Sequence, residues 1–290
     1  MSMNFAREQS LLRQRLQAAG SPELAALRQR EHGEGSTFLG ADAAAVRAAA
    51  TDLSALHPQM GRAQMTAFVR TLWQTKIHEV RAVGIELLAT RAALLEPADL
   101  AFLEGLLDGC TTDELAAQLA GDVIGVLVTK NKKLWKDLRR FATASSAVLR
   151  RAAVRACRLP LLADGEGFPR FTELAEPLSA EPDPVLQRAI DELLAAAAAV
   201  HADAVAAFAA RHGRKVVMPK KKKVVAAPVA APVAAPVVAP AAVVAAKAPV
   251  AKATVAKAAV AKAAVAKAVP KPTAAPAKAP AKKRAAAKRG

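Results

Sequence analysis

The stretch Glu96-Pro97-Ala98-Asp99-Leu100-Ala101-Phe102-Leu103-Glu104-Gly105-Leu106-Leu107 decides the fold class. Pro97 stands where a first-turn donor has no helical partner, so Glu96-Pro97 reads as a helix start. Leu100, Leu103, Leu106 and Leu107 then fall at i, i+3, i+6 and i+7, which lines one helical face with leucine. Asp183-Pro184 opens a second such helix, with Leu186, Ile190, Leu193 and Leu194 at i, i+4, i+7 and i+8, and Ser21-Pro22 opens a third. Helical spacing continues from Phe5 to Arg214, and no run alternates β-branched and polar residues as a strand would. The pattern predicts an all-α domain of about ten helices of roughly 10 to 18 residues. Short turns and one-sided apolar faces suit paired antiparallel helices stacked as a HEAT-like α-solenoid, although the sequence repeat is weak.

Charge divides the chain in two. The 290 residues carry 42 Lys plus Arg, 25 Asp plus Glu and a net charge of +17. From Lys215 to Gly290 there are 17 basic residues, no acid and no aromatic, which leaves 25 basic against 25 acidic side chains before it. Residues 1–214 therefore read as a neutral helical domain, and 215–290 as a disordered polycation rich in Ala, Lys, Pro and Val. Only two cysteines, Cys110 and Cys157, are present, which excludes a disulfide scaffold and fits a reducing compartment.

The second region has its own order. Lys220, Lys221, Lys222 and Lys223 open it, and Lys247, Lys252, Lys257, Lys262 and Lys267 recur every five residues. A five-residue step turns a helix by about 500°, so the lysines wind round every face and make no amphipathic stripe. A flexible polycation without aromatics is expected to bind duplex DNA by counterion release, without reading bases. This tail resembles the carboxy-terminal domains of linker-histone-like proteins. Val224 to Ala246 is uncharged, but Pro228, Pro232, Pro236 and Pro240 would leave backbone groups unpaired in lipid, so no membrane span is expected. The N-terminus has charges every few residues and no apolar run, so no secretory signal is expected.

Most catalytic motifs are missing. His32 to Gly40, HGEGSTFLG, follows no strand and lacks a Lys-Ser/Thr ending, so it reads as a loop. His78-Glu79 begins like a zinc helix, but Ala82 stands where the second His belongs, and the cysteines have no CxxC companions. No metal and no cofactor is expected. One basic cluster stands out in the neutral domain: Lys130, Lys132, Lys133, Lys136, Arg139 and Arg140, then Arg150, Arg151, Arg155 and Arg158. It reads either as one positive face for phosphates or as an ordinary solvated surface.

Four segments carry a family resemblance. LWQTKIHEVRAVGIELL (Leu72 to Leu88) resembles the Leu-Trp…Glu-x-Arg helix of the HEAT-repeat DNA alkylation repair glycosylases of the AlkD type. FLGADAAAVRAAA (Phe38 to Ala50) is similar to the segment before it. FATASSAVLRR (Phe141 to Arg151) and DPVLQRAIDELL (Asp183 to Leu194) resemble two later segments in the same order, so the likeness covers about residues 20 to 213. The resemblance implies excision of alkylated purines. Their charged ring is already a good leaving group, and a carboxylate stabilises the oxocarbenium sugar and guides water.

Carried over by position, Asp113 matches the family's catalytic acid, and Arg150 or Arg151 its backbone-binding Arg. The tryptophans that hold the cationic base do not carry over: Gly109 and Glu192 stand in their places, and Phe141 and Val148 replace two more. Asp113 also has a structural reading, since Thr111-Thr112-Asp113-Glu114 has the form of a capping box from Thr111 to Glu114. Trp73 is expected in a helix–helix contact and Trp135 beneath the Lys-rich helix.

Three functions follow: a DNA repair glycosylase tethered by its tail, a non-catalytic HEAT-repeat nucleoid or chromatin protein, or an RNA binder acting through the tail alone. Double-stranded DNA is the expected partner, with RNA as the alternative, and a monomer is expected. A bacterial chain would sit on the nucleoid in the cytoplasm, and a eukaryotic one in the nucleus with Lys220 to Lys223 as its signal.

Overall fold

The computed structural model describes residues 3–163 and 165–216, which belong to one compact unit. The lysines expected to bind DNA in the tail, Lys220 to Lys223, Lys252, Lys257 and Lys262, lie outside the described residues, as does Val224 to Ala246. Helix is the dominant element, and the described residues contain no strand, only a parallel bridge between Thr37 and Ile77.

Start signals act as the sequence predicts. Ser21 caps the helix α2 that begins at Pro22, its hydroxyl accepting from Leu24 N–H, and the Asp183 carboxylate accepts from Val185 and Leu186 at the start of the helix beginning at Pro184. Glu96 and Asp99 form a reciprocal capping box around Pro97.

The helices run α1 Phe5–Ala19, α2 Pro22–His32, α3 Ala43–Leu56, α4 Arg62–Trp73, α5 His78–Thr90, α6 Leu100–Asp108 and α7 Asp113–Gln118. They continue as α8 Gly125–Lys130, α9 Trp135–Ala142, α10 Ala147–Ala156, α11 Arg158–Ala163, α12 Gly167–Leu178, α13 Pro184–Ala197 and α14 Ala202–Arg211. The segments are shorter and more numerous than the expected ten, for two local reasons. A π-helical turn, Leu119–Ile124, joins α7 to α8 and divides one rod. Pro160 has no N–H for the Ala156 carbonyl, and the chain breaks between α10 and α11 at Cys157.

Two helices form the inner layer. On α5 every residue from His78 to Ile85 is buried, and α5 packs on α3, α4 and the π turn. Helix α10 packs on α6, α7, α9 and α13. A single apolar core runs the length of the described chain, from Leu12 and Leu16 through Phe68, Leu103 and Phe141 to Phe171 and Phe208.

A repeat that is weak in the residue identities is plain in the polar contacts between helices. Arg62 bonds Glu96, 34 residues on; Arg140 bonds Glu104, 36 back; Arg139 bonds Glu173, 34 on; Arg151 bonds Asp183, 32 on; Arg211 bonds Glu176, 35 back. Each pair ties one helix pair to the next at a nearly constant step, as stacked repeats require. The architecture is a HEAT-like α-solenoid.

Candidate nucleic-acid interface and active site

Asp113 opens α7 in a different way from the one its sequence suggests. The N-cap is Thr112, whose hydroxyl accepts from Leu115 N–H at 3.3 Å, while the Thr111 hydroxyl meets that of Ser36. The capping box expected from Thr111 to Glu114 is therefore replaced by a simple Thr112 cap, because the helix starts one residue later. Asp113 caps nothing. Its Oδ2 instead accepts from Arg155 Nη2 at 2.7 Å, and Arg151 Nη1 stands 3.7 Å from Oδ1. The Asp113 side chain keeps about a third of its surface in solvent, at 35%.

Arg151 is shared. Its guanidinium forms a two-point bond to Asp183, at 2.7 and 3.0 Å. That bond, joined by the N–H groups of Leu186 and Val185, holds the Asp183 carboxyl below its ordinary range against the cost of burial. Arg150 points elsewhere: it grips Glu181 and the carbonyls of Ala144 and Ser145. The two arginines that the sequence offers as alternatives thus part company, and Arg151 is the one beside Asp113.

The loop leading to Asp113 is pinned by Trp73 and Arg81. Arg81 lies over the Trp73 ring at 5.3 Å and donates to the carbonyls of Thr75, Trp73 and Gly109. A Cβ on Gly109 would come within 2.7 Å of Trp73 Nε1. The space an aromatic side chain would need at 109 is therefore occupied by Trp73 itself. Glu79, buried on the neighbouring turn of α5, accepts from the N–H groups of Leu39 and Gly40 and so fixes the loop after Gly35. Gly40, at φ +77°, sits where a Cβ would strike the Ser21 carbonyl oxygen.

Asp113 faces a concavity of about 790 Å³ walled by α2, α3, α5, α7, the π turn, α10 and α13. Glu192, which stands in an expected aromatic position, lines the same groove, as do Arg155 and Arg158. No Trp, Phe or Tyr lines it. Its carboxylates are Glu79, Glu86, Asp113, Glu114, Asp122 and Glu192, and its guanidiniums Arg28, Arg47, Arg155 and Arg158. Glu86 takes a bond from Gln118, and Glu114 pairs with Arg28 at 3.4 Å. Buried His78 on the same wall is driven down to about pKa 4, first by burial and then by nearby cations, against the pull of Glu79.

The basic cluster is divided. Lys132, Lys133 and Lys136 line a second concavity of about 300 Å³ with Trp135, Arg139, Arg170 and Glu173, and no residue of it lines the Asp113 groove. Lys130 donates to the Ala92 carbonyl. Trp135 is buried at the start of α9, with Arg170 5.8 Å above its ring, and Trp73 is half-buried against the core. Phe141 is a fully buried core residue and Val148 packs half-buried on the core, so neither reaches the groove. The Cys110 thiol, pushed up to about 12 chiefly by burial, stays protonated.

The family model for DNA alkylation repair enzymes matches residues 12–223. The chain belongs to that family. A solved structure described as a predicted DNA alkylation repair enzyme from Enterococcus faecalis shares the fold, with a TM-score of 0.59 at 14% identity, over 66% of this chain and 89% of that one. No curated protein matches the sequence. The alkylation repair fold places Asp113, Arg155 and Glu192 in one groove from α7, α10 and α13, three helices far apart in sequence.

Arg28, Arg47 and Asp122 are groove residues that the sequence motifs did not single out, whereas Arg155 was named only as one member of the basic cluster. Arg155 had a signal, since it stands four residues after Arg151 and so on the same face of α10. Arg28 and Arg47 had none, because only the stacking of α2 and α3 brings them in. Among the described residues no group of three metal-ligating side chains comes together, and no helix is long and apolar enough to cross a membrane.

Proposed function

We propose that this protein binds duplex DNA through the Asp113 groove and excises cationic alkylated purines, slowly. The observation that carries the reading is the placement of the Asp113 carboxylate, about a third open to solvent and held by Arg155, in a groove that also presents Glu192. In the reaction the bond from the sugar C1′ to the alkylated purine breaks, and its electron pair neutralises the positive ring, which leaves without needing an acid. Asp113 stabilises the positive charge that develops on the sugar. Water then bonds to C1′ and gives its proton to Asp113 or to solvent.

The absence of aromatic groove walls argues for slowness. With no Trp, Phe or Tyr ring to stack on the base, carboxylates supply attraction without orientation, and loose positioning costs on the order of 100-fold. The same absence favours a second reading, in which the groove binds DNA without excision. Residues 215–290, with 17 cations, would tether the protein to the polyanion in either case, as a monomer, with RNA as a competitor. Release of 7-methylguanine from methylated duplex by the wild-type chain, lost in Asp113→Asn, supports the first reading. Duplex binding with background release in both proteins supports the second.

A further inference from the structure

The second concavity shares no residue with the Asp113 groove, yet its composition is unusual for a domain, residues 1–214, in which basic and acidic side chains balance. Five cations, Lys132, Lys133, Lys136, Arg139 and Arg170, converge on about 300 Å³ with one acid, Glu173, on the rim. Arg139 takes Glu173 at 3.0 Å, and Glu166 takes Lys132 and Arg170. Lys133 and Lys136 have no ion-pair partner among the described residues, and both are exposed. Exposed ion pairs are weak, about 0–1 kcal/mol each, so Glu166 and Glu173 are easily displaced by a stronger anion. The three-residue turn Lys132–Leu134 runs straight into α9, with Trp135 N–H bonded to the Lys132 carbonyl, and so fixes the backbone from which these lysines project.

We infer that this pocket is a second nucleic-acid contact, separate from the Asp113 groove, which grips the phosphodiester backbone of duplex DNA without reading its sequence. The inference rests on the DNA-binding half of the proposed function and not on excision. The details favour a duplex backbone over other polyanions. A strand held by stacking would need an open aromatic face, but Trp135 is buried beneath Arg170. An anionic membrane would need flanking apolar side chains to insert, and none of the exposed large apolar residues lines the pocket. Long, flexible lysines over a rigid floor suit phosphates at varied positions, as sequence-independent backbone contact requires. A protein with two such sites holds DNA at a point remote from the groove, which lets it stay bound while the groove is empty or scanning.

Residue-resolved lysine acetylation of the full chain tests this without interference from the tail lysines, because each site is read separately by mass spectrometry. The probe is a short, unmodified duplex, so failure of excision cannot mask the result. Lys133 and Lys136 should be acetylated about threefold or more slowly with duplex at low salt, with protection fading at high salt. Protection should persist in the groove variant Arg47→Glu/Arg158→Glu. Lys133→Glu/Lys136→Glu should flatten the salt dependence of duplex binding by about 0.9 per lost contact, near 2 in all. Unchanged acetylation with duplex, protection lost in the groove variant, or protection by phosphatidylglycerol vesicles but not by duplex would each overturn the inference.

Discussion

Arg155 Nη2 lies 2.7 Å from Asp113 Oδ2, so the last turn of α10 holds the first residue of α7. This pair, and not a helix cap, sets where the Asp113 carboxylate points. Arg155→Met should lower excision about tenfold by loosening that carboxylate, since misplacement acts steeply on rate. Stability should hardly change, because a half-exposed pair contributes about 0–1 kcal/mol. Single-turnover excision and a thermal melt on the same sample separate the two effects.

Gly109 and Trp73 make the next relationship. With Trp73 Nε1 2.7 Å from the position of a Cβ, Gly109→Ala must push the indole or the loop aside. A loss of about 1–3 kcal/mol is expected, read as a lower urea midpoint with unchanged slope. Trp73→Phe removes the Nε1 atom, so the double variant should lose less than the sum of the two single changes.

Glu79 closes the loop after Gly35 by accepting from the N–H groups of Leu39 and Gly40 at 2.9–3.0 Å. Glu79→Ala leaves the buried Gly40 donor and the part-buried Leu39 donor unpaired, at roughly 1–3 kcal/mol for the buried one and less for the other. Urea unfolding should show a loss of several kcal/mol, and Glu79→Gln, which keeps one acceptor, a smaller one. The Glu-x-Arg signature of this helix is thus structural on both sides: Glu79 ties the preceding loop, and Arg81 ties α4 to Gly109.

The sequence foretold helix starts better than helix ends or partners. Proline after Ser21, Glu96 and Asp183 marks a first turn because imino acids fit there and almost nowhere else in a helix. The repeat is weak in the residue identities because Ala and Leu faces are interchangeable from one helix to another. Its register lives in arginine–carboxylate pairs about 35 residues apart, which have no local pattern. The same limit hid the groove. Asp113 and Glu192 were legible through family resemblance, whereas Arg28 and Arg47 meet them only through stacking. The basic run from Lys130 to Arg158 looks continuous along the chain, but Lys132, Lys133, Lys136 and Arg139 line one concavity and, beyond the turn after Ala142, Arg155 and Arg158 line the other.

His78 gives the domain an acid-side weakness. In the unfolded chain its imidazole takes up a proton near pH 6.5, but in the fold it does so only near 4, so protonation favours the unfolded state. Its contribution is intact above about pH 6.5, falls as pH drops through the window from 6.5 to 4, and is constant below it. At about 1.4 kcal/mol per pH unit the loss is roughly 3 kcal/mol across that window. Urea midpoints taken between pH 7 and 4 should fall, and the fall should be shallower in His78→Phe, which keeps the ring contact with Phe38.

The central claim is that Asp113 is a working carboxylate in a groove that positions its substrate poorly. Single-turnover release of 7-methylguanine from methylated duplex, measured side by side for the wild-type chain and Asp113→Asn, tests it most directly. The account predicts slow release by the wild type, above spontaneous loss, that falls to background in Asp113→Asn while duplex binding is retained. Equal release by the two proteins, whether at background or well above it, would contradict it.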